Sequence, residues 1–235
     1  CGRGEEYIIG EGYHIYKSEA VGTAALGGVI PQTVPVLEDG SIDIEVAIGK
    51  VKSDDMHFPR TKLLCLENTY NGKPLSPKYM QCATAAARKV NLRSHLDGAR
   101  LMNAAIANKC TPKELASSFD TVSLCLSKGL GAPVGSVLVG NQDFINEARR
   151  VRKMLGGGMR QAGILAACGI VAMKNQVDRL IQDHALAARL ASELAQIPDI
   201  ETEPQGANTN MVFIKVENKH RAPLQSFLKE EGILI

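Results

Sequence analysis

The sequence predicts an α/β fold in which helices cover a mainly parallel sheet. Short apolar runs of strand length alternate with stretches of helical periodicity through most of the 235 residues. This alternation is typical of parallel strands joined by helical crossovers. After residue 200 the pattern changes to a short strand, a charged helix and a last apolar run. We therefore predict a large domain over residues 1–200 and the beginning of a smaller α+β domain over residues 201–235, and we expect both to be incomplete.

The strands are predicted from apolar runs with polar or glycine-rich borders. In the large domain they are residues 62–66, 92–96, 121–126 and 136–139, and in the smaller one residues 211–216 and the final run 233–235. Open α/β sheets bind ligands beyond the carboxyl ends of their strands. Residues that directly follow a strand are therefore the first candidates for chemistry.

The helices are predicted from apolar spacing and from one start signal. Helical stretches cover residues 78–90, 143–154, 162–195 with an interruption, and 223–231. Thr111 and Glu114 flank Pro112 in the pattern of a capping box, in which each side chain bonds the other residue's main-chain N–H. A helix is expected to begin there.

The composition excludes several classes of function. A net charge of +2, from 27 basic and 25 acidic residues, provides no extended basic field for nucleic acid or an anionic membrane surface. No apolar run approaches the length that crosses a bilayer. Six cysteines without CxxC spacing are interpreted as free, mostly buried thiols of a reducing compartment. We therefore predict a cytoplasmic protein with a small-molecule substrate and no nucleic-acid or membrane partner.

Two candidate catalytic residues follow predicted strands. Asp97 directly follows the strand at residues 92–96, and Arg100 lies three residues later. Lys128 follows the next strand and precedes a glycine-rich segment, residues 129–135. A buried lysine costs several kcal/mol to desolvate unless it is neutral or covalently used, which favours a Schiff-base role over that of a lysine emerging at a loop.

This pair of residues matches the requirements of pyridoxal phosphate (PLP). PLP enzymes bind the cofactor through a lysine and place an acid beside its pyridine nitrogen, which makes the ring an electron sink. His14 is a third candidate, because an imidazole stacks on a flat ring or moves a proton, although a lone histidine is more often structural.

Several segments together resemble the low-specificity L-threonine aldolases, in the same order and over nearly the whole chain. They are residues 7–10, 67–72, 95–100, 125–136 and 152–161, of which the segments around Lys128 and 156–161 are the most family-specific. The resemblance implies PLP fold type I, that of aspartate aminotransferase, with a seven-stranded type of large-domain sheet. It also implies cleavage of the β-hydroxy-α-amino acids L-threonine or L-allo-threonine to glycine and acetaldehyde.

The resemblance also implies roles for individual residues. His14 would stack on the cofactor and assist at the substrate hydroxyl, Asp97 would pair with the pyridine nitrogen, and Lys128 would bind the cofactor covalently. Arg100 would hold a cofactor oxygen or the substrate carboxylate. These roles complete the candidate catalytic and cofactor-binding set within one subunit.

Lys153 and Arg160 would reach the active site of a neighbouring subunit and help bind the cofactor phosphate there. A homodimer or homotetramer is therefore implied. The family's phosphate-cradling loop, its amino-terminal serine and its late carboxylate-binding arginine are expected to lie outside this chain.

Tyr70 departs from the subfamily, in which a histidine is usual at this place. It follows the strand at residues 62–66, so we expect it at the ligand-binding edge, near the substrate hydroxyl. A phenol is a poorer base than an imidazole at neutral pH, so Tyr70 is expected to orient the hydroxyl. The alternative is that Tyr70 only packs in a turn.

Three other functions remain open on the sequence. Another enzyme of the same fold, a β-eliminating lyase or an amino-acid racemase, would share the lysine and the acid. A catalytically silent scaffold that retains only oligomer contacts is the third alternative. Retro-aldol cleavage is favoured because His14 and the segment at residues 156–161 both match the aldolases.

Overall fold

The computed structural model describes residues 1–203 and 207–235. These residues form two compact units, Cys1–Leu180 and Ile181–Ile235. The domain boundary that the sequence predicts after residue 200 stays a prediction, and residues 204–206 of the predicted smaller domain lie outside the described residues.

The first unit contains a six-stranded sheet with the strand order β2-β1-β3-β4-β5-β6. The strands are β1 Glu6–Gly10, β2 Ile30–Val34, β3 Thr61–Glu67, β4 Arg93–Asp97, β5 Thr121–Cys125 and β6 Ser136–Val139. Strands β1 to β5 are parallel, and β6 is antiparallel to β5. The predicted α/β class and mainly parallel sheet are confirmed, with six strands in the described residues where a seven-stranded type was expected.

The four strands predicted in the large domain are β3 to β6, whereas β1 and β2 were not predicted. Strand β1 begins with Glu6, a charged residue that is fully buried and paired with Lys52 at 2.5 Å. Strand β2 contains Pro31 and lies at the edge of the sheet, where a missing N–H is tolerated. Because of these two residues, neither strand is predicted from apolar runs alone.

Helices connect the strands of this unit. They are α1 His14–Lys17, α2 Gly22–Ala25, α3 Ile44–Gly49, α4 Pro77–Lys89, α5 Leu101–Asn108, α6 Pro112–Ala116, α7 Gln142–Met154 and α8 Gly163–Asn175. Helix α9, Leu180–Leu194, begins at the last residue of this unit. The predicted helices correspond to α4, α7 and the pair α8 and α9. The capping box of Thr111 and Glu114 is present at the start of α6, as predicted.

The core lies on the sheet. Ile8, Leu64 and Leu96, in the neighbouring strands β1, β3 and β4, are completely buried and belong to one cluster with Met80 and Ala83 of α4. Burial of each such aliphatic side chain contributes about 1.5–3 kcal/mol. The central strands are thus firmly held against α4.

The second unit differs from the prediction in three places. Strand β8 Ile214–Val216 is shorter than predicted because its partner, β7 Ile200–Thr202, has only three residues. Helix α10 Asn218–Glu230 begins before Pro223, which lies inside it. The predicted terminal strand at residues 233–235 is wrong, because Ile233 donates its N–H to the Leu228 carbonyl in a Schellman motif that ends α10.

The six cysteines are free, as predicted, but they are not mostly buried. Only Cys65 is buried, and burial raises its pKa to about 12, whereas Cys1 and Cys82 are exposed. Among the described residues, no helix is both long and apolar enough to cross a membrane.

Candidate active site

Asp97 lies at the end of β4, between the ends of two parallel neighbours. It is buried and in register with Glu67 of β3 and Ser123 of β5. Its Oδ1 accepts the N–H of Ala99 at 3.0 Å. Gly98 donates its N–H to the Ser123 carbonyl at 2.8 Å, and a Cβ on Gly98 would lie 2.7 Å from that oxygen. Only glycine therefore allows the close approach that places the carboxylate here.

Lys128 lies in a tight turn beyond β5. The turn is closed by the Gly131 N–H, which donates to the Lys128 carbonyl at 2.9 Å, and Gly131 has a φ of +71° that glycine adopts without strain. The next carbonyl, that of Gly129, accepts from Arg179 at 3.2 Å. The Lys128 side chain is exposed, so the expected desolvation of this lysine is wrong. Its position beyond the carboxyl end of β5 is as predicted.

Arg100 follows Asp97 and directly precedes α5. Its Nε is buried and, among the described residues, has no hydrogen-bond partner. A buried unsatisfied donor costs about 1–3 kcal/mol. Such an atom is explained when a ligand supplies the acceptor.

His14 begins α1 and is joined to the sheet through its main chain. Its N–H donates to Glu67 Oε2 at 2.6 Å, across 53 residues of sequence. Its ring Nδ1 lies 2.7 Å from Glu19 Oε1, and both of these side chains are about half exposed. The imidazole is thus accessible to a ligand, whereas its backbone is fixed to the end of β3.

The charge of Glu67 is coupled to the predicted site residues. Burial raises the pKa of Glu67 to about 7; the His14 N–H lowers this pKa, Asp97 raises it, and Lys128 and Arg100 lower it. Charges influence one another in this way only at short range in a partly desolvated environment. Glu67 is in register with Asp97 and accepts the His14 N–H, and Arg100 and Lys128 follow the ends of β4 and β5, so these residues lie at the same carboxyl edge of the sheet.

Tyr70 lies in the loop after β3, which the buried Asn68 holds by two hydrogen bonds to the main chain of Leu75. The Tyr70 ring is tilted against that of Tyr13, with 5.5 Å between ring centroids. A Cβ on Gly12 would overlap the Tyr70 hydroxyl. Tyr70 is therefore at the expected edge, packed against the segment that leads into α1.

The sequence of this chain is similar to those of several known proteins. Residues 1–217 match the family model described as beta-eliminating lyase. The low specificity L-threonine aldolase of Escherichia coli K12 is 48% identical over all of this chain, which spans 70% of that protein. The low-specificity L-threonine aldolase 1 of Arabidopsis thaliana is 42% identical over 99% of this chain and 67% of its own length.

The chain belongs to the low-specificity L-threonine aldolase family.

Solved structures support the fold of this family member. The threonine aldolase of Leishmania major superposes with a TM-score of 0.79 at 23% identity, over 95% of this chain and 66% of that chain. A serine palmitoyltransferase of Sphingomonas wittichii superposes with a TM-score of 0.73 at 18% identity, over 100% of this chain and 57% of that one. The fold is therefore shared beyond the aldolases, and the predicted lyase class follows from the family.

Two predicted site residues of this aldolase-family chain belong to α7 and the segment after it, and not to the ends of the parallel strands. Lys153 is in the last turn of α7 and Arg160 follows that helix, and both are exposed. No hydrogen bond within the described residues joins either of them to Asp97 or Lys128. Their role at a neighbouring subunit stays a prediction.

Glu67 is the residue that the sequence analysis did not assign. It lies inside a segment that resembles the aldolases, and it directly follows a predicted apolar strand, as Asp97 does. Its position directly after a predicted strand could therefore have identified Glu67 as a candidate site residue from the sequence. In the part of the chain that the structure describes, no group of three His, Cys, Asp or Glu side chains is placed to hold a metal ion.

Proposed function

We propose that the edge formed by Asp97, Arg100, Lys128 and His14 is the active centre of a PLP-dependent aldolase. Its substrates would be L-threonine and L-allo-threonine, and its products glycine and acetaldehyde. The proposal rests on one observation: an acid, an arginine, a lysine and a histidine lie at the same edge of the sheet in a chain from this family.

The residues present fit PLP. The cofactor combines a pyridine nitrogen, a ring oxygen and an aldehyde carbon, and a carboxylate, a guanidinium and an amine are complementary to these groups. The strongest observation is the buried Arg100 Nε, which has no partner among the described residues. Asp97 would pair with the pyridine nitrogen and Lys128 Nζ would bind the aldehyde carbon covalently.

When bound, PLP supplies an electron sink for the negative charge left on the substrate α-carbon as the Cα–Cβ bond breaks. Asp97 serves this by holding a proton at the pyridine nitrogen, since a carboxylate in a buried position favours the cationic form of its partner. Arg100 would bind the ring oxygen or the substrate carboxylate. The chain thus contributes binding, orientation and charge.

His14 would act at the substrate β-hydroxyl. Cleavage requires that this hydroxyl lose its proton as its carbon becomes the aldehyde carbon, and that the α-carbon gain a proton to give glycine. An imidazole accepts a proton at neutral pH. The exposed ring of His14, on a backbone fixed by Glu67, supports this role.

The test is a product assay with the full-length holoenzyme. L-threonine and L-allo-threonine are each incubated with it, and acetaldehyde and glycine are quantified together. Equimolar formation of the two products is expected. Turnover without acetaldehyde would contradict the proposal.

A β-eliminating lyase is the second candidate, and the description of the matching family model favours it. Elimination from threonine would release 2-oxobutanoate and ammonia, so the same incubation separates the two reactions. A racemase would instead form the α-epimer of the substrate, and a silent scaffold would form nothing. The aldolase relatives favour retro-aldol cleavage over these alternatives.

The proposal also includes a homodimeric or homotetrameric assembly and a cytoplasmic location. Lys153 and Arg160 are exposed, which suits a role at the active site of a second copy in a homodimer or homotetramer. Mixing inactive Lys128→Ala subunits with inactive Arg160→Ala subunits should restore activity in hybrids if the sites are shared, and no recovery would contradict this. A cytoplasmic location is supported by the six free cysteines.

A further inference from the structure

Glu67 makes the contact that joins the His14 segment to the sheet. Its Oε2 accepts the His14 N–H at 2.6 Å, a length typical of a charge-assisted bond. Tyr13, which precedes α1, provides no side-chain cap for that helix. The Tyr13 hydroxyl instead donates to the Gly40 carbonyl at 3.0 Å, inside the core. A neutral bond from Tyr13 and a charged bond to Glu67 therefore hold the segment.

Other charged and titratable groups face Glu67 from each neighbouring element. They are Tyr13 and His14 of the α1 segment, Asp97 at the end of β4, Arg100 before α5 and Lys128 beyond β5. Glu67 thus lies among the proposed catalytic groups, and its side chain accepts the main-chain N–H of His14.

We propose that Glu67 is the positioning residue for His14, and that its carboxylate holds the imidazole at the height of the substrate hydroxyl. The inference rests on the proposed function. It adds that the charge state of Glu67 determines how firmly the proton-transferring group, His14, is held.

The environment of Glu67 determines the direction of this control. Burial is the main reason that its pKa is raised to about 7. Above this pKa the carboxylate is ionised and its bond to the His14 N–H is strongest. Below it the neutral carboxyl accepts more weakly. The segment is therefore held best on the alkaline side of neutrality, and kcat should fall as pH falls through about 7.

Hydrogen exchange at the His14 amide tests the anchor without cofactor or activity. Glu67→Leu removes the acceptor, and the protection factor of this amide should fall about tenfold or more. Glu67→Gln keeps an oxygen acceptor of the same shape and cannot ionise. Its protection factor should be intermediate and independent of pH between 6 and 8, whereas that of the wild type rises with pH.

Glu19→Gln is the matched control. It removes the other carboxylate that touches His14, but at the ring, 2.7 Å from Nδ1. Amide protection in this variant should equal that of the wild type. An equal loss in Glu19→Gln and Glu67→Leu would overturn the proposal, because the segment would then respond to any nearby change.

Kinetics of the full-length holoenzyme test whether Glu67 acts through His14. Glu67→Leu should lower kcat about tenfold with little change in KM, and Glu67→Gln should recover part of kcat while keeping only the part of the acidic limb that the His14 imidazole causes. In a His14→Asn background Glu67→Leu should cost no more than about twofold, since the group it positions is gone.

Full additivity of the two substitutions, or unchanged His14 protection in Glu67→Leu, would overturn the inference. A wild type without aldolase activity would overturn the proposed function instead, and hydrogen exchange would then decide the anchor by itself.

Discussion

The edge of the sheet has two halves that are built differently. The proposed cofactor half consists of Asp97, the last residue of β4, and Lys128, in the turn that follows β5, so each is placed by one strand. The proposed substrate half consists of His14 and Tyr70, which are placed by contacts between distant parts of the chain, together with Glu67, the last residue of β3, which holds the His14 main chain. The first half depends on local backbone geometry, and the second depends on how loops pack. Substitutions in the cofactor half should therefore change chemistry, and those in the substrate half should change positioning.

The largest effect is expected for Lys128→Ala. The side chain is exposed, so its loss should leave the free energy of unfolding within about 0.5 kcal/mol of the wild type. Covalent attachment of the cofactor should be lost, and kcat should fall by about a thousandfold or more. The visible absorbance of the bound cofactor and borohydride trapping measure this directly. The exposed Lys174 provides a control, since Lys174→Ala should retain both signals, and a reducible adduct in Lys128→Ala would remove the anchor role.

Asp97→Asn should have the second largest effect. Asparagine keeps an oxygen for the Ala99 N–H, so only the charge is removed. We expect kcat to fall about 10²- to 10³-fold, because the proton on the pyridine nitrogen loses its counter-charge.

Asp97 also raises the pKa of Glu67, so the acidic limb of the pH profile should move below pH 7 in the Asp97→Asn variant. Steady-state kinetics across pH 5.5–9 give both quantities. Near-normal turnover in this variant would contradict the assigned role of Asp97.

Gly12→Ala tests the packing of the substrate half. The added Cβ would overlap the Tyr70 hydroxyl, and overpacking of this kind costs about 1–3 kcal/mol. Thermal unfolding should show the loss in Gly12→Ala. In a Tyr70→Phe background, where the hydroxyl is absent, the loss should be smaller.

Gly22→Ala is the control for the comparison of Gly12→Ala with and without the Tyr70 hydroxyl, because a Cβ at Gly22 meets no atom within 4 Å. It should change the free energy of unfolding little. If Gly12→Ala lowers the free energy of unfolding equally with and without the Tyr70 hydroxyl, the added Cβ does not clash with that hydroxyl.

Tyr70→His should have the smallest effect and the most specific one. Tyr70 packs against Tyr13 and the segment leading into α1, so a smaller ring would change the shape of the substrate half. We expect the ratio of kcat/KM for L-threonine over L-allo-threonine to change a few-fold, roughly 1 kcal/mol or less, with the sum of the two activities changing less. Both substrates are measured with the wild type, Tyr70→His and Tyr70→Phe, and an unchanged ratio in both variants leaves Tyr70 as a packing residue.

The strands β3 to β6 were predictable because each is an apolar run with clear borders. Strands β1 and β2 were not, since the buried Glu6 depends on partners distant in sequence, Lys52 and Thr61, and Pro31 is acceptable only at a sheet edge. The terminal run at residues 233–235 shows the converse. Its apolar pattern is that of a strand, but the backbone of Ile233 closes the end of α10 instead.

The sequence by itself determined where the two proposed cofactor-binding residues, Asp97 and Lys128, lie in the fold. A carboxylate or a lysine that directly follows a parallel strand must lie at the carboxyl edge of the sheet, because the strand direction places it there. Only the tertiary structure decided that Lys128 is exposed and that Glu67 holds the main chain of His14. Burial and the field of neighbouring charges depend on residues that are distant in sequence, so no local pattern reports that the pKa of Glu67 is raised to about 7.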